Sequence, residues 1–197
     1  MKHMWVETTQ RFEANSDSTQ RTQAPHNLPD ISLISHVRRN HALEHATMHV
    51  LNERYRGLKL VGRSSLWGFY IYGNIPTEAV ASAAQEGLRR LKAGQHQMAI
   101  HPNCGSNLAV AGTLAGLGAF LALGGMSTKP AKSRLERIAR LPLAFTAATL
   151  GIMLAQPLGA ILQAHVTTQA DVGSLCIVSI TQEKKANILV HHVRTEV

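Results

Sequence analysis

Within Ser35–Glu53, SHVRRNHALEHATMHVLNE, the pentad His41-Ala42-Leu43-Glu44-His45 holds the residues best suited to chemistry. Residues four apart lie on one face of a helix. His41, His45 and, one turn on, His49 therefore form a single stripe with Glu44 beside it. Two imidazoles at that spacing can grip one metal ion, and zinc is the usual occupant of a nitrogen site left partly open. A neighbouring carboxylate can take a proton from water that the metal activates. The same spacing also arises on an ordinary solvated helix, so the rest of the chain has to weigh in.

The 197 residues suffice for one domain with a real core plus an additional element. Basic side chains number 20 against 12 acidic, a formal charge of +8. Such a balance suits nucleic acid or an anionic membrane surface. The basic residues are scattered or sit beside apolar runs, and aromatics make up only 5% of the chain. That argues against a base-stacking platform, and no nucleic-acid partner is expected. Two cysteines, Cys104 and Cys176, are too few for a disulfide framework.

The elements that must position the pentad can be read in order. Residues 1–30 are polar, rich in Thr, Gln, Ser and Asn, and read as a disordered tail without a cleavable signal peptide. The pentad helix is expected to open near Ser35 and end before Gly57. Leu58–Val61 and Trp67–Tyr72 read as two strands joined by a Gly-Arg-Ser-Ser turn. Thr77-Glu78 starts a second helix running to about Lys92, with Val80, Ala84, Leu88 and Leu91 at helical spacing. Gln97–His101 reads as a third strand that enters a tight turn, Pro102–Asn107.

A sharp change follows. Leu108–Met126 has no charged residue, and in Leu141–Val166 only His165 titrates. Each stretch is long enough to cross a bilayer. Gly112 and Gly116 have the GxxxG spacing at which membrane helices pair. Two such segments are hard to cover in a chain this small, so both are expected to span a membrane, with lipids as partners. The connector Ser127–Arg140 carries Lys129, Lys132, Arg134, Arg137 and Arg140 against Glu136, which places it in the cytoplasm by the positive-inside rule. The lack of an export signal instead favours a cytoplasmic metal domain, and Arg89, Arg90 and Lys92 weaken the charge contrast. Leu175–Thr181 and Ile188–Arg194 read as a hairpin around Glu183-Lys184-Lys185. Two spans return the chain to the side it left, so this hairpin can join the first sheet. The expected class is α+β: a small antiparallel sheet with two helices, interrupted by a two-helix transmembrane hairpin. Residues 31–106 with 172–197 would form the metal-binding unit and residues 107–171 the hairpin, in a bacterial inner membrane.

The helix with His41, Glu44 and His45 precedes a strand pair ending Gly68-Phe69-Tyr70-Ile71-Tyr72-Gly73, a Pro-Thr-Glu helix start and Asn103-Cys104-Gly105. In that order, over about residues 36–106, these parts resemble S-ribosylhomocysteine lyase and, more distantly, the pitrilysin-type peptidases with their inverted zinc motif. The resemblance implies that His41, His45 and Cys104 hold the metal, zinc or alternatively iron(II), and that Glu44 is the catalytic carboxylate. The lyase has a second, catalytic cysteine just before its Gly-aromatic-aromatic strand. Ser65 stands nearest here and cannot supply thiol acidity, which disfavours action on a ribosyl thioether. The peptidases take their third ligand from a distant glutamate, for which Glu78 and Glu86 are the candidates. The whole chain also resembles an uncharacterised family of bacterial membrane proteins sharing the HALEHAT and HPNCG stretches.

Other residues have secondary roles to offer. His49 can close the coordination sphere or support it from outside. His101, three residues before Cys104, can polarise a substrate, and Arg39 with Arg38 can bind an anionic group. His191 and His192 face opposite sides of a strand, and Cys176 reads as core. The expected function is a membrane-bound metal-dependent hydrolase, a zinc peptidase with Glu44 as general base, acting on a peptide or small molecule. The alternative is a non-catalytic metal-binding sensor or assembly module, with a protein group in the fourth position. A homodimer is compatible with either.

Overall fold

A computed structural model describes residues 10–11, 29–126, 134–185 and 187–197. The tail expected over residues 1–30 lies largely outside the described residues, as does the first half of the basic connector. The chain divides into two compact units, residues 1–100 with 166–197, and residues 101–165.

The first unit is built on α1 (Pro29–Arg54), which opens earlier than the expected Ser35 because proline suits a first helical turn. Its buried stripe of Ala42, Leu43, Ala46, Val50 and Leu51 meets α2 (Thr77–Lys92), which buries Val80, Ala83, Ala84 and Leu91. Beside them lies an antiparallel sheet of β1 (Gln10–Arg11), β2 (Val61–Ser65), β3 (Gly68–Tyr72), β4 (Cys176–Lys185) and β5 (Ile188–Glu196). Its order is β1-β4-β5-β3-β2. The late hairpin thus joins the early one, with Phe69 opposite Val193 and Tyr70 opposite His192. The α+β class and the antiparallel sheet are as the sequence reading had them.

Several boundaries differ. The first hairpin turns at Leu66–Trp67, between the paired Ser65 and Gly68, rather than over Gly62–Ser65. Gly68, with a φ of 130°, opens β3 in a conformation suited to glycine and lies where a Cβ would overlap the Val193 carbonyl. The late strands run on through Glu183–Lys185, and the hairpin turns beyond Lys185, which pairs with Ile188. Gln97–His101 is not a strand. His96–Ala99 forms a 3-10 turn, closed by local bonds such as Ile100 N–H to the Gln97 carbonyl. The carbonyls of Ala99 and Ile100 are taken by side chains of α1, which leaves no ladder to join. Cys176 is exposed, at the end of β4 opposite Glu196, and is not core.

The second unit contains α3 (Gly105–Ala122), α4 (Arg134–Ala139) and α5 (Leu141–Leu162), with a π-helical turn beginning at Gln163. Pro142 lies in the first turn of α5, where its missing N–H has no cost. Both α3 and α5 are long and apolar enough to cross a membrane. They pack through Gly118 and Gly151: a Cβ on Gly151 would stand 2.7 Å from the Leu114 carbonyl, and one on Gly118 2.9 Å from that of Ala147. Gly112 and Gly116 are not part of this contact, and a Cβ on either would meet nothing within 4 Å.

The core of the first unit also buries polar groups. His191 is wholly buried, with Nδ1 3.5 Å from the Thr77 hydroxyl, which itself donates to Gln182 Oε1. Burial pushes this imidazole below its ordinary 6.5, against the raising effects of the Ile75 backbone and the Glu78 charge. His192, stacked on Tyr70 at 4.2 Å, is lowered by burial and by Arg194. His36 is lowered by burial and by Arg39. A histidine whose pKa falls on folding binds fewer protons in the folded state. Its stabilisation is complete above the unfolded value near 6.5 and is lost as pH falls from there toward the folded value. Glu86, held at about 2 by Arg89 and Arg90, stays charged throughout that window. Thermal unfolding in detergent should therefore move to lower temperature from about pH 7.5 to about pH 5.5. His191→Leu should flatten the dependence; a melting temperature that rises on acidification would contradict it.

Candidate metal centre

The stripe of histidines on α1 is fixed by backbone carbonyls. His41 Nδ1 lies 2.9 Å from the Thr167 carbonyl, and His45 Nδ1 lies 2.6 Å from that of Ala99. A carbonyl oxygen only accepts, so each Nδ1 must carry the proton and donate it. In a neutral ring the lone pair is then on Nε2. This is the tautomer that metal-ligating histidines adopt, with the other ring nitrogen held by an acceptor. The two rings stand 4.3 Å apart, centroid to centroid, at 61°. His45 is buried and His41 half-buried. His49 is set the other way round, its Nε2 2.7 Å from the Ile100 carbonyl. It therefore offers the opposite nitrogen from its two neighbours.

Cys104 stands at the N-terminus of α3, with Sγ 3.1 Å from the Ser106 hydroxyl. The ligand atoms of His41, His45 and Cys104 all lie within 4.8 Å of one another, and the three could hold one metal ion. Nitrogen and sulfur donors of this kind bind zinc at about 2.0–2.3 Å.

Glu44 is buried beside the pair. Its carboxylate lies directly over Gly62 of β2, where any Cβ would overlap Oε1. The residue before His41 does a different job. Asn40 is wholly buried; its Nδ2 donates to the carbonyls of Ser65 and Leu66 at 3.0 and 3.1 Å, and its Oδ1 accepts from Thr195. It pins the β2–β3 turn and β5 to the start of the histidine stripe. Ser65 belongs to that turn, its hydroxyl donating to the Gly68 carbonyl.

The remaining candidates have partners or settings of their own. Arg39 lies with its guanidinium 3.6 Å from where a Cβ of Gly173 would be, while Arg38 donates to the Thr168 carbonyl. Glu86 is engaged by Arg89 and Arg90, and Glu78 is exposed on the first turn of α2. His101, in the second unit, is buried and accepts the Asn103 N–H through Nδ1. Sequence reasoning missed Gly62, Asn40, Asn107 and Gln163. None carried a local signal: Gly62 read as part of a turn, and its place inside β2, where a glycine allows a close approach, emerges only with the fold.

A family model described as a domain of unknown function (DUF6391) matches residues 36–180. The chain belongs to this family. The matched span includes His41, Glu44, His45, Cys104 and both apolar helices. An uncharacterized protein of Picosynechococcus sp. (strain ATCC 27264 / PCC 7002 / PR-6) is 32% identical over 151 residues, 72% of this chain and 70% of that protein. No solved structure matches the chain.

The contact between Glu44 and Gly62 is open to direct test. Gly62→Ala should destabilise the protein by about 1–3 kcal/mol, the usual range for overpacking. In a Glu44→Ala background, where the carboxylate is gone, most of that loss should vanish. Additive losses in the double variant, read from unfolding midpoints, would mean that the carboxylate does not occupy this space.

Proposed function

We propose that this protein is a membrane-bound, metal-dependent hydrolase of the inverted-zincin kind, acting on peptides. The observation that carries the reading is the pair of imidazoles whose Nδ1–H groups face backbone carbonyls, leaving two Nε2 lone pairs on one helix face. With Cys104 they make a donor set of two nitrogens and one sulfur, which suits zinc and also accepts iron(II). A metal bound there would supply Lewis-acid activation of water and of the scissile carbonyl. Glu44 would accept the proton of the attacking water and pass it to the leaving amine. Its buried seat against Gly62 suits that task, since a packed carboxylate keeps one position through the cycle.

Three protein ligands leave a fourth position for water or substrate, as catalytic zinc sites do. The sensor or assembly reading needs a protein group in that position. His49 lies outside the group of three whose ligand atoms come together, and its Nε2–H is given to the Ile100 carbonyl, so only Nδ1 could serve as such a group. The lyase reading is disfavoured because Ser65 supplies no thiol and its hydroxyl serves the turn.

Location in a membrane is supported by how little α3 and α5 are covered. Within the most apolar windows only 6% and 17% of residues are buried, whereas a soluble core helix is buried over most of its length. Leu117, Phe120, Phe145, Met153 and Ile161 are among the exposed apolar side chains. The protein should remain with the membrane through carbonate extraction, and release into the supernatant would defeat this part of the proposal.

Purified protein should carry about one zinc or iron per chain, lost in His45→Ala and Cys104→Ala. Glu44→Gln should keep the metal but lower peptide hydrolysis by about two to four orders of magnitude. Full turnover in that variant would remove the general-base role. Metal loss instead would make Glu44 a residue that orients the ligands.

A further inference from the structure

The loop that carries Cys104 is fastened by two amides that the proposed chemistry does not use. Gln163 is wholly buried, in the π-helical turn after α5. Its Oε1 accepts the His101 N–H at 2.8 Å, and its Nε2 donates to the His101 carbonyl at 3.1 Å and to Asn107 Oδ1 at 2.7 Å. One side chain thus satisfies both backbone groups of a single residue, as a neighbouring strand would. Asn107, also buried, extends the hold by donating from Nδ2 to the Pro102 carbonyl at 2.8 Å. Its Oδ1 rests against Gly159, where a Cβ would overlap it. The His101 carbonyl accepts a further bond from the Cys104 N–H at 3.2 Å. The amide plane of Gln163 is therefore two hydrogen bonds from the backbone of Cys104.

An amide is an expensive group at the end of an apolar helix unless its hydrogen bonds are made. A leucine would fill the same volume without that demand. What the amide provides is direction: it fixes both bonding directions at His101 and so the path of the chain to Cys104. A π-helical turn, a local departure from α-helix found at functional positions, presents it.

We propose that Gln163, acting through His101 and Asn107, is a positioning residue that sets where the Cys104 sulfur stands, and thereby tunes the metal held with His41 and His45. The second half of this statement rests on the metal site proposed above; the first does not.

The test uses the full chain in detergent with Cys176→Ser, so that Cys104 is the sole thiol. Gln163→Leu removes the clamp. Gln163→Glu keeps an acceptor for the His101 N–H but, as a carboxylate, cannot donate to the His101 carbonyl or to Asn107. In metal-free protein, maleimide labelling of Cys104 should speed up about 10-fold or more in both variants, as expected of a locally released loop. In cobalt(II)-loaded protein, chelator competition should show binding weakened about 10- to 100-fold, with loss of thiolate-to-cobalt absorption. Gln156→Leu, at an exposed position of α5, should match the parent in both measurements. Labelling unchanged in both Gln163 variants overturns the clamp, whatever happens to the metal. Faster labelling in variants of a parent that binds no cobalt overturns the metal site and leaves the clamp standing. Faster labelling with unchanged cobalt affinity overturns the tuning. Where Gln163→Leu fails to accumulate, Gln163→Glu and Asn107→Ala give the same reading.

Discussion

A neutral imidazole has one N–H and one lone pair, and whichever group takes the N–H decides where the lone pair points. Along α1 the takers are backbone carbonyls of Ala99, Ile100 and Thr167, which a fold must pair with donors wherever they are buried. The histidines therefore solve a structural problem and prepare a chemical one in the same bonds. They satisfy the chain at the two places where it leaves and re-enters the first unit, and they leave two lone pairs on one face. Ser35 and Arg38 reinforce the return point by bonding Gln169 and Thr168. The helix that bears the histidine stripe is also the post to which both of these places are tied.

Space on the other side of Glu44 is made by omission. A carboxylate can lie over β2 only because position 62 carries no side chain. Asn40 then locks the turn that ends β2, so the strand cannot slide and bring a side chain under the carboxylate. Rigidity of this kind would suit the proton-accepting role proposed for Glu44, because reach to a reacting atom is a matter of a fraction of an ångström.

The parts of this arrangement that were legible in the sequence are those written in short range. The His-x-x-Glu-His spacing, the second helix over 77–92 and the two apolar stretches are all periodic or compositional signals within one element. The return of the late hairpin to the early sheet was also readable, from the even number of apolar helices between them. What escaped was set by partners far away in the chain. Residues 97–101 read as a strand because nothing local says that two of their carbonyls are claimed by histidines some fifty positions earlier. Gly112 and Gly116 advertised a helix contact, yet Gly118 and Gly151 make it, since the match depends on both helices at once. Asn107 read as the end of a tight turn and Gln163 lay within an apolar run, and only the folded loop shows their pairing.

The strand order has a consequence for how the protein is made. β5 sits in the interior of the sheet, between β4 and β3, yet it follows β3 by more than a hundred residues, with both apolar helices in between. During synthesis α1, α2 and the first hairpin emerge as an unfinished half, with the edge of β3 open and Phe69 and Ile71 lacking their cover. A sheet completed so late depends on contacts of long sequence separation, which form slowly. Until then the exposed strand edge is a template for pairing with another chain, and the nascent domain is at its most vulnerable to aggregation. Closing the sheet therefore has to wait until both apolar helices have been made, since β4 and β5 follow them in the chain.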